Sequence, residues 1–313
     1  MGLQNQPYLA AKQWQAQISY QYANTDQLFV GDQRNDAAGP GGQAPHRKVS
    51  IVDLDLLYAL SNRLSLDLTV PFLWGSGGFH DPAGSSRFYD FHAGGVGDIA
   101  LQAEYWLSYP TKSSPIQGSV DIGVKMPTGS DTVMGTYPNG AVVPIDESFQ
   151  LGNGGWEILL RAQGTAMIVG DLFAYGSGYY GLSLTEHTAV YQYLSTGAPL
   201  ALRGVPDTYS GRLGLAYLLP VPKGLVVSLG GRINGVTVKD LIGGGDLYWR
   251  RPGYEVFVEP GLTWTSGPNI ASVSVPVRAY QNKLDSLFDI SINRHFGADF
   301  VPFLIIASYA YRF

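Results

Sequence analysis

The sequence predicts an all-β protein: a transmembrane, antiparallel, up-and-down β-barrel of about 12 strands with short periplasmic turns and long extracellular loops. It occupies residues 1–313 as one domain. Three observations predict it. Strand after strand alternates apolar and polar residues with a period of two. The connections alternate short and long without exception. Trp or Tyr recurs near the ends of the apolar faces, as aromatic girdles require.

The strands follow in order. In residues 14–22 the even positions, Trp14 to Tyr22, are apolar or aromatic and the odd ones polar. Val52, Leu54, Leu56 and Tyr58 alternate with Asp53 and Asp55, and Leu64 to Phe72 alternates with Ser65, Asp67 and Thr69. A tight turn at 61–63 joins these two as a hairpin. The pattern continues at 99–107, 116–126 and 156–168. Residues 172–180 are strand-like but Gly-rich, with no clear faces. Further alternating runs lie at 209–219, 225–233, 254–264, 273–279 and 301–313. Short connections fall at 61–63, 108–114, 169–171, 220–224 and 266–269. Long ones fall at 24–47, 74–95, 127–155, 182–205, 237–252 and 281–298. A soluble sandwich or propeller also alternates, but its turns need not sort by length.

Composition narrows the function classes. Only 14% of residues are charged while 45% are hydrophobic, which excludes a disordered chain. The absence of Cys excludes disulfide scaffolds, thiolate zinc sites and Cys nucleophiles. A net charge of −5 argues against nucleic acid as a partner. No apolar run is long enough for a transmembrane helix. Met1-Gly2 leads into polar residues, so an exported chain would have lost its signal peptide and gained a start Met.

Lipid offers no hydrogen bonds, so the apolar faces point outward and the polar faces line the lumen. The lumen-lining candidates divide into an acidic arc, Asp53, Asp55, Asp67, Asp98, Glu104 and Asp121, and a basic arc, Arg161, Arg212, Arg232, Arg278 and Arg312. Lys125 interrupts the first, and Glu157, Glu255 and Glu259 accompany the second. Opposed arcs would set a transverse field across a constriction. The same charges could instead pair and fill a narrow lumen. The membrane-interface aromatics are Trp14, Tyr58, Tyr105, Trp156, Tyr217, Trp264, Tyr309 and Phe313. Phe79, Phe88, Tyr89, Phe91, Tyr137, Phe149, Tyr248, Trp249 and Phe288 fall in the expected long loops, where they either pack the loops together or receive a solute.

Catalysis is not expected. His46, His80, His92, His187 and His295 fall in expected loops, none beside a Ser at a lipid-facing strand position as a barrel phospholipase needs. Asp131 and Asp146 have no calcium-loop spacing around them, so no metal or cofactor is expected. Neither Gly243-Gly244-Gly245 nor Gly94-Gly95-Val96-Gly97 opens a helix, which a phosphate or dinucleotide loop would do.

Gly95-Val-Gly-Asp98, opening an alternating strand that runs to Trp106, and Pro127-Thr-Gly129 at the exit of the next strand carry a family resemblance. With Leu68-Thr-Val-Pro-Phe72 and the aromatic C-terminus, they resemble the outer-membrane proteins of the MetA-pathway of phenol degradation family. The likeness is strongest over residues 64–155. It implies passage of small, aromatic or otherwise hydrophobic compounds across the bacterial outer membrane and assigns no binding residues. The last strand, Ser308 to Phe313, resembles the terminal signature that such proteins present to the barrel-assembly machinery.

The functional expectation is a porin-like channel for passive passage of a small-molecule solute, embedded in outer-membrane lipid. The rival is a non-conducting barrel whose loops act in adhesion or partner docking. Pro260 and Pro276 within strands, and Gly176 and Gly178, suggest bulges or gaps, with a weak wall around residues 172–181.

Overall fold

A computed structural model describes residues 8–108, 115–243 and 247–313. Twelve antiparallel staves close into a barrel. They are β1 (Trp14–Thr25), β2 (His46–Ala59), β3 (Leu64–His80), β4 (Phe88–Val96 continued by Ala100–Ser108), β5 (Ile116–Lys125) and β6 (Glu157–Val169). Then come β7 (Leu172–Ser183), β8 (Thr208–Leu218), β9 (Leu225–Val236), β10 (Gly253–Ser266), β11 (Asn269–Ser274 continued by Val277–Lys283) and β12 (Leu304–Arg312). Each stave pairs with the next in sequence, and β12 returns to β1 from Gln15↔Arg312 to Ala23↔Leu304. Among the described residues closure gives the staves partners on both sides, as a hydrocarbon solvent demands, while residues 88–96 of β4 pair with β3 alone.

The strands are inside-out relative to a soluble sheet. Leu54, Leu68, Leu101, Ile122, Leu160, Leu213 and Leu229 stand exposed on the outer face. Asp53, Asp67, Glu104, Asp121, Arg232 and Glu259 are buried on the inner one. Trp14, Tyr58, Tyr105, Tyr217, Trp264 and Tyr309 all lie near the strand ends that carry the short turns and the chain termini, with Trp14 paired directly to Tyr58. Trp14 and Tyr58 lie ring to ring at 4.4 Å, and Phe313 sits below them next to Tyr311. Trp156 stands at the opposite, loop-bearing end, at the start of β6. Among the described residues no helix is long and apolar enough to cross a membrane. The apolar outer face bounded by aromatics is the surface that crosses one.

The structure departs from the expected elements above that belt. Residues 74–80 and 88–95, expected as loop, extend the β3–β4 hairpin, leaving only 81–87 as its tip. Their alternation is inverted: Tyr89 and Phe91 point inward and are buried, while Asp90 and His92 are exposed. Beyond the lipid the outer face meets water, so the apolar residues turn inward onto the loops. His46, His80 and His92 accordingly lie on strand extensions rather than in loops. The other departure is at 172–181. Far from forming a weak wall, β7 pairs with β6 over Leu172–Ser183 and with β8 over Leu172–Gly181. Irregular places include an extra residue on β6, Ile168, opposite Leu172 and Phe173, a bulge on β11 where Ala279 is extra opposite Val256 and Phe257, and the break in β11 at Val275-Pro276, where Pro has no N–H to donate. The expected turn at 108–114 lies largely outside the described residues.

Candidate solute passage

The break in β4 shows what the two short motifs do. The ladder is interrupted at Gly97-Asp98-Ile99, and Thr128 repairs it: its Oγ1 donates to the Gly97 carbonyl at 2.8 Å and accepts the Ile99 N–H at 2.9 Å. Asp98 accepts the Gly129 N–H at 3.0 Å, the Asn153 N–H at 3.2 Å and Lys125 Nζ at 2.8 Å. Lys125 also meets Glu157 Oε1 at 2.9 Å. Asp98 is therefore the anchor of the loop between β5 and β6 at the mouth of the barrel.

The lumen has two unlike halves. On the β2–β6 side the inner face is packed. Asp53, Asp55, Asp67, Glu104 and Asp121 gather around Arg161, which is ion-paired with Asp121. Ser119 and Gln163 each donate to Glu104 at 2.8 Å, and Thr69 donates to Asp55 at 2.7 Å. Arg161 thus sits among the acidic residues and not opposite them. At the turn end, Leu9 packs on Leu57 and Ala59, and Tyr8 meets Trp106 edge-on at 5.4 Å, covering this half from below.

The β7–β12 side is open. Arg212 and Arg232 are direct cross-strand partners on β8 and β9, and both reach Glu259 on β10. Arg212 Nη2 meets Oε1 at 2.6 Å and Arg232 Nε meets Oε2 at 2.6 Å. This clamp separates two cavities. Below it lies one of about 310 Å³, lined by Arg212, Arg312, Tyr175 and the hydroxyls of Ser228, Ser272 and Ser308. Above it lies one of about 470 Å³, lined by Arg232, Lys125, Glu157, Glu255, Tyr179 and Arg251. Neither lining includes the five carboxylates of the packed half. Of the remaining predicted charges, Arg312 donates to Gln15 Oε1 at 3.3 Å. Arg278 is drawn into the loops, where it donates to the Phe300 carbonyl at 2.8 Å and lies over Phe29.

Arg251 also lines a third cavity, of about 580 Å³, between the loops at the mouth. Its wall is aromatic: Phe79, Phe91, Tyr137 and Phe149 belong to a cluster with Tyr89 and Ile145, while Trp249 and Phe296 stand edge to face at 4.8 Å. Most of the loop aromatics therefore pack the loops together, and several of the same rings face the cavity.

Its floor is ionic. Asp146 accepts both Nη atoms of Arg251 at 2.8 and 2.6 Å, Arg47 at 3.3 Å and Gln192 at 3.0 Å. Arg47 continues to Asp299 at 2.9 Å. Burial pushes the Asp146 carboxyl up, but Arg251, Arg47 and the Ser148 hydroxyl outweigh it and hold the group well below the usual carboxylate range. One carboxylate thus ties together the β5–β6 and β9–β10 loops and the top of β2. Sequence reasoning weighed Asp146 only as a metal ligand and passed over Arg47 and Arg251. The signal for Arg251 was the Arg250-Arg251 pair directly before a strand in a chain poor in charge.

No protein-family model and no curated protein matches the chain. Solved structures do. An outer-membrane channel from Pseudomonas putida F1 matches with a TM-score of 0.62 at 15% identity, over 100% of both chains. The P. putida toluene transporter TodX matches at 0.43 and 8% identity over 97% of this chain and 91% of its own. A Pseudomonas aeruginosa FadL homologue matches at 0.44 and 10% identity over 96% and 90%. The first shares this chain's fold, that of an outer-membrane β-barrel.

Proposed function

We propose that this protein is an outer-membrane channel for passive passage of small molecules, with aromatic or hydrophobic compounds as its solutes. The end bearing the short turns faces the periplasm and the loop end faces outward. One observation carries the reading: three cavities follow one another from the loops to the turn end. The upper two share Arg251, and the lower two are divided by a single layer, the Arg212–Glu259–Arg232 clamp. A purely structural lumen would be filled throughout, as the β2–β6 half is. The likeness to the phenol-degradation family and the aromatic vestibule support aromatic solutes, while the inward charges of the clamp line the route. The lumen-lining roles of Arg212, Arg232 and Arg312 belong to this reading.

Reconstitution of the purified chain in planar bilayers tests it. Discrete conductance steps are expected in potassium chloride. A chain that inserts yet never conducts would favour the non-conducting barrel with docking loops.

A further inference from the structure

The open half of the lumen is unevenly charged, and this deepens the channel reading on which it rests. In the lower cavity Arg212 and Arg312 face the space with no carboxylate in the lining among the described residues. Arg312 has the Gln15 amide oxygen as its side-chain partner and is in no described ion pair. Arg212 shares Glu259 with Arg232, so two guanidinium groups stand on one carboxylate. The Ser274 hydroxyl, also in the lining, and the Gln15 amide nitrogen are buried without a hydrogen-bond partner. Asp53, Asp55, Asp67, Glu104 and Asp121 are packed in the other half and do not reach this lining.

The vestibule adds an aromatic requirement. Phe79, Phe91, Phe149 and Trp249 line it, and Arg294 stands at 4.5 Å over the Phe296 ring with no described carboxylate partner. Trp249, 2% exposed, leaves its indole N–H buried without an acceptor. A hydrocarbon would fill the rings but leave that N–H and the guanidinium groups below unanswered, at a desolvation cost. A cation would be repelled by the surplus Arg charge. A halide would answer the charge and leave the rings empty.

We propose that the passage is anion-selective and that its solutes are small aromatic monocarboxylates. The ring is received among the vestibule aromatics, and the carboxylate is handed through the clamp to Arg212 and Arg312. Arg312, held among the described residues only by the Gln15 amide oxygen, and the buried Ser274 hydroxyl offer the charge-assisted donors that a carboxylate accepts, and Arg212 adds its positive charge from the clamp.

The test uses the full chain in planar bilayers under a tenfold potassium chloride gradient. The reversal potential should show chloride preferred over potassium by about threefold or more. Benzoate on the loop side should interrupt the chloride current in a concentration-dependent way, and benzyl alcohol, the uncharged counterpart, should not. Arg312→Gln should lower the chloride preference by about twofold, and Arg312→Lys should keep it. Potassium preference in the unaltered chain, or equal indifference to benzoate and benzyl alcohol, would overturn the proposal while leaving a channel. Absence of any conductance would overturn the channel reading and this proposal together.

Discussion

At the scale of single residues, Lys125 has the most to lose. Its ammonium lies between Asp98 and Glu157, and all three side chains are less than a tenth exposed. Lys125→Met would leave two buried carboxylates facing each other without a cation, a change that costs about 3–5 kcal/mol. Urea unfolding in detergent micelles, followed by the mobility difference between folded and unfolded barrel on gels, should show a midpoint lowered accordingly; an unchanged midpoint would refute the assignment. Thr128→Val, which removes one donor and one acceptor from the β4 break, should cost less, about 1–2 kcal/mol. The Gly-Asp and Pro-Thr-Gly motifs were legible as motifs, but not their purpose. That Asp98 and Thr128 come together follows from Ala100↔Lys125 pairing, a register the two strands do not announce separately.

At the scale of elements, the clamp and the loop knot make different predictions. Glu259→Gln keeps shape but removes the charge that draws Arg212 and Arg232 across the lumen, so the two guanidinium groups should separate and single-channel conductance should rise about twofold. An unaltered conductance would mean that the clamp is not the constriction. The knot at Asp146 responds to acid. Its folded-state carboxyl is held below the ordinary value, so its stabilisation is fully present above the ordinary carboxylate range. It is lost as pH falls through that range toward the lowered value. Limited proteolysis of the loops between pH 7 and pH 3 should show cleavage appearing only at the acid end. Asp146→Asn should be cleaved at both pH values, and resistance of that variant at neutral pH would count against the knot. The strands themselves were readable because lipid enforces a period of two on one face. Above the belt that constraint lapses, which is why the β3–β4 extension, with Tyr89 and Phe91 turned inward, read as loop. The Gly-rich β7 read as weak because Gly176 and Gly178 hide the pattern of faces, yet backbone pairing needs no side chain to be continuous.

At the scale of the whole molecule, one geometric statement organises the rest: apolar side chains face lipid, and the buried charges divide into a packed half and an open one. The number of staves and the outward register could be read from the chain. The division of the lumen could not, because it depends on which inward residues meet across the barrel, and Arg161, drawn to Asp121, changes sides when they do. The six Trp residues test the global arrangement without disturbing any charge. Trp14, Trp74, Trp156 and Trp264 are 37–48% exposed on the outer face, while Trp106 and Trp249 are 5% and 2% exposed. In vesicles of lipid brominated close to the headgroup, single-Trp variants retaining one of the first four should lose most of their fluorescence, because girdle aromatics sit at that depth. A variant retaining only Trp249 should be unaffected, since its ring lies among the loops beside Phe296. Bromine at the chain ends should quench the girdle Trp residues less than bromine near the surface does. Strong quenching of Trp249, or none of Trp14 and Trp264, would mean that the wall does not face lipid as described, and the passage enclosed by that wall would fall with it.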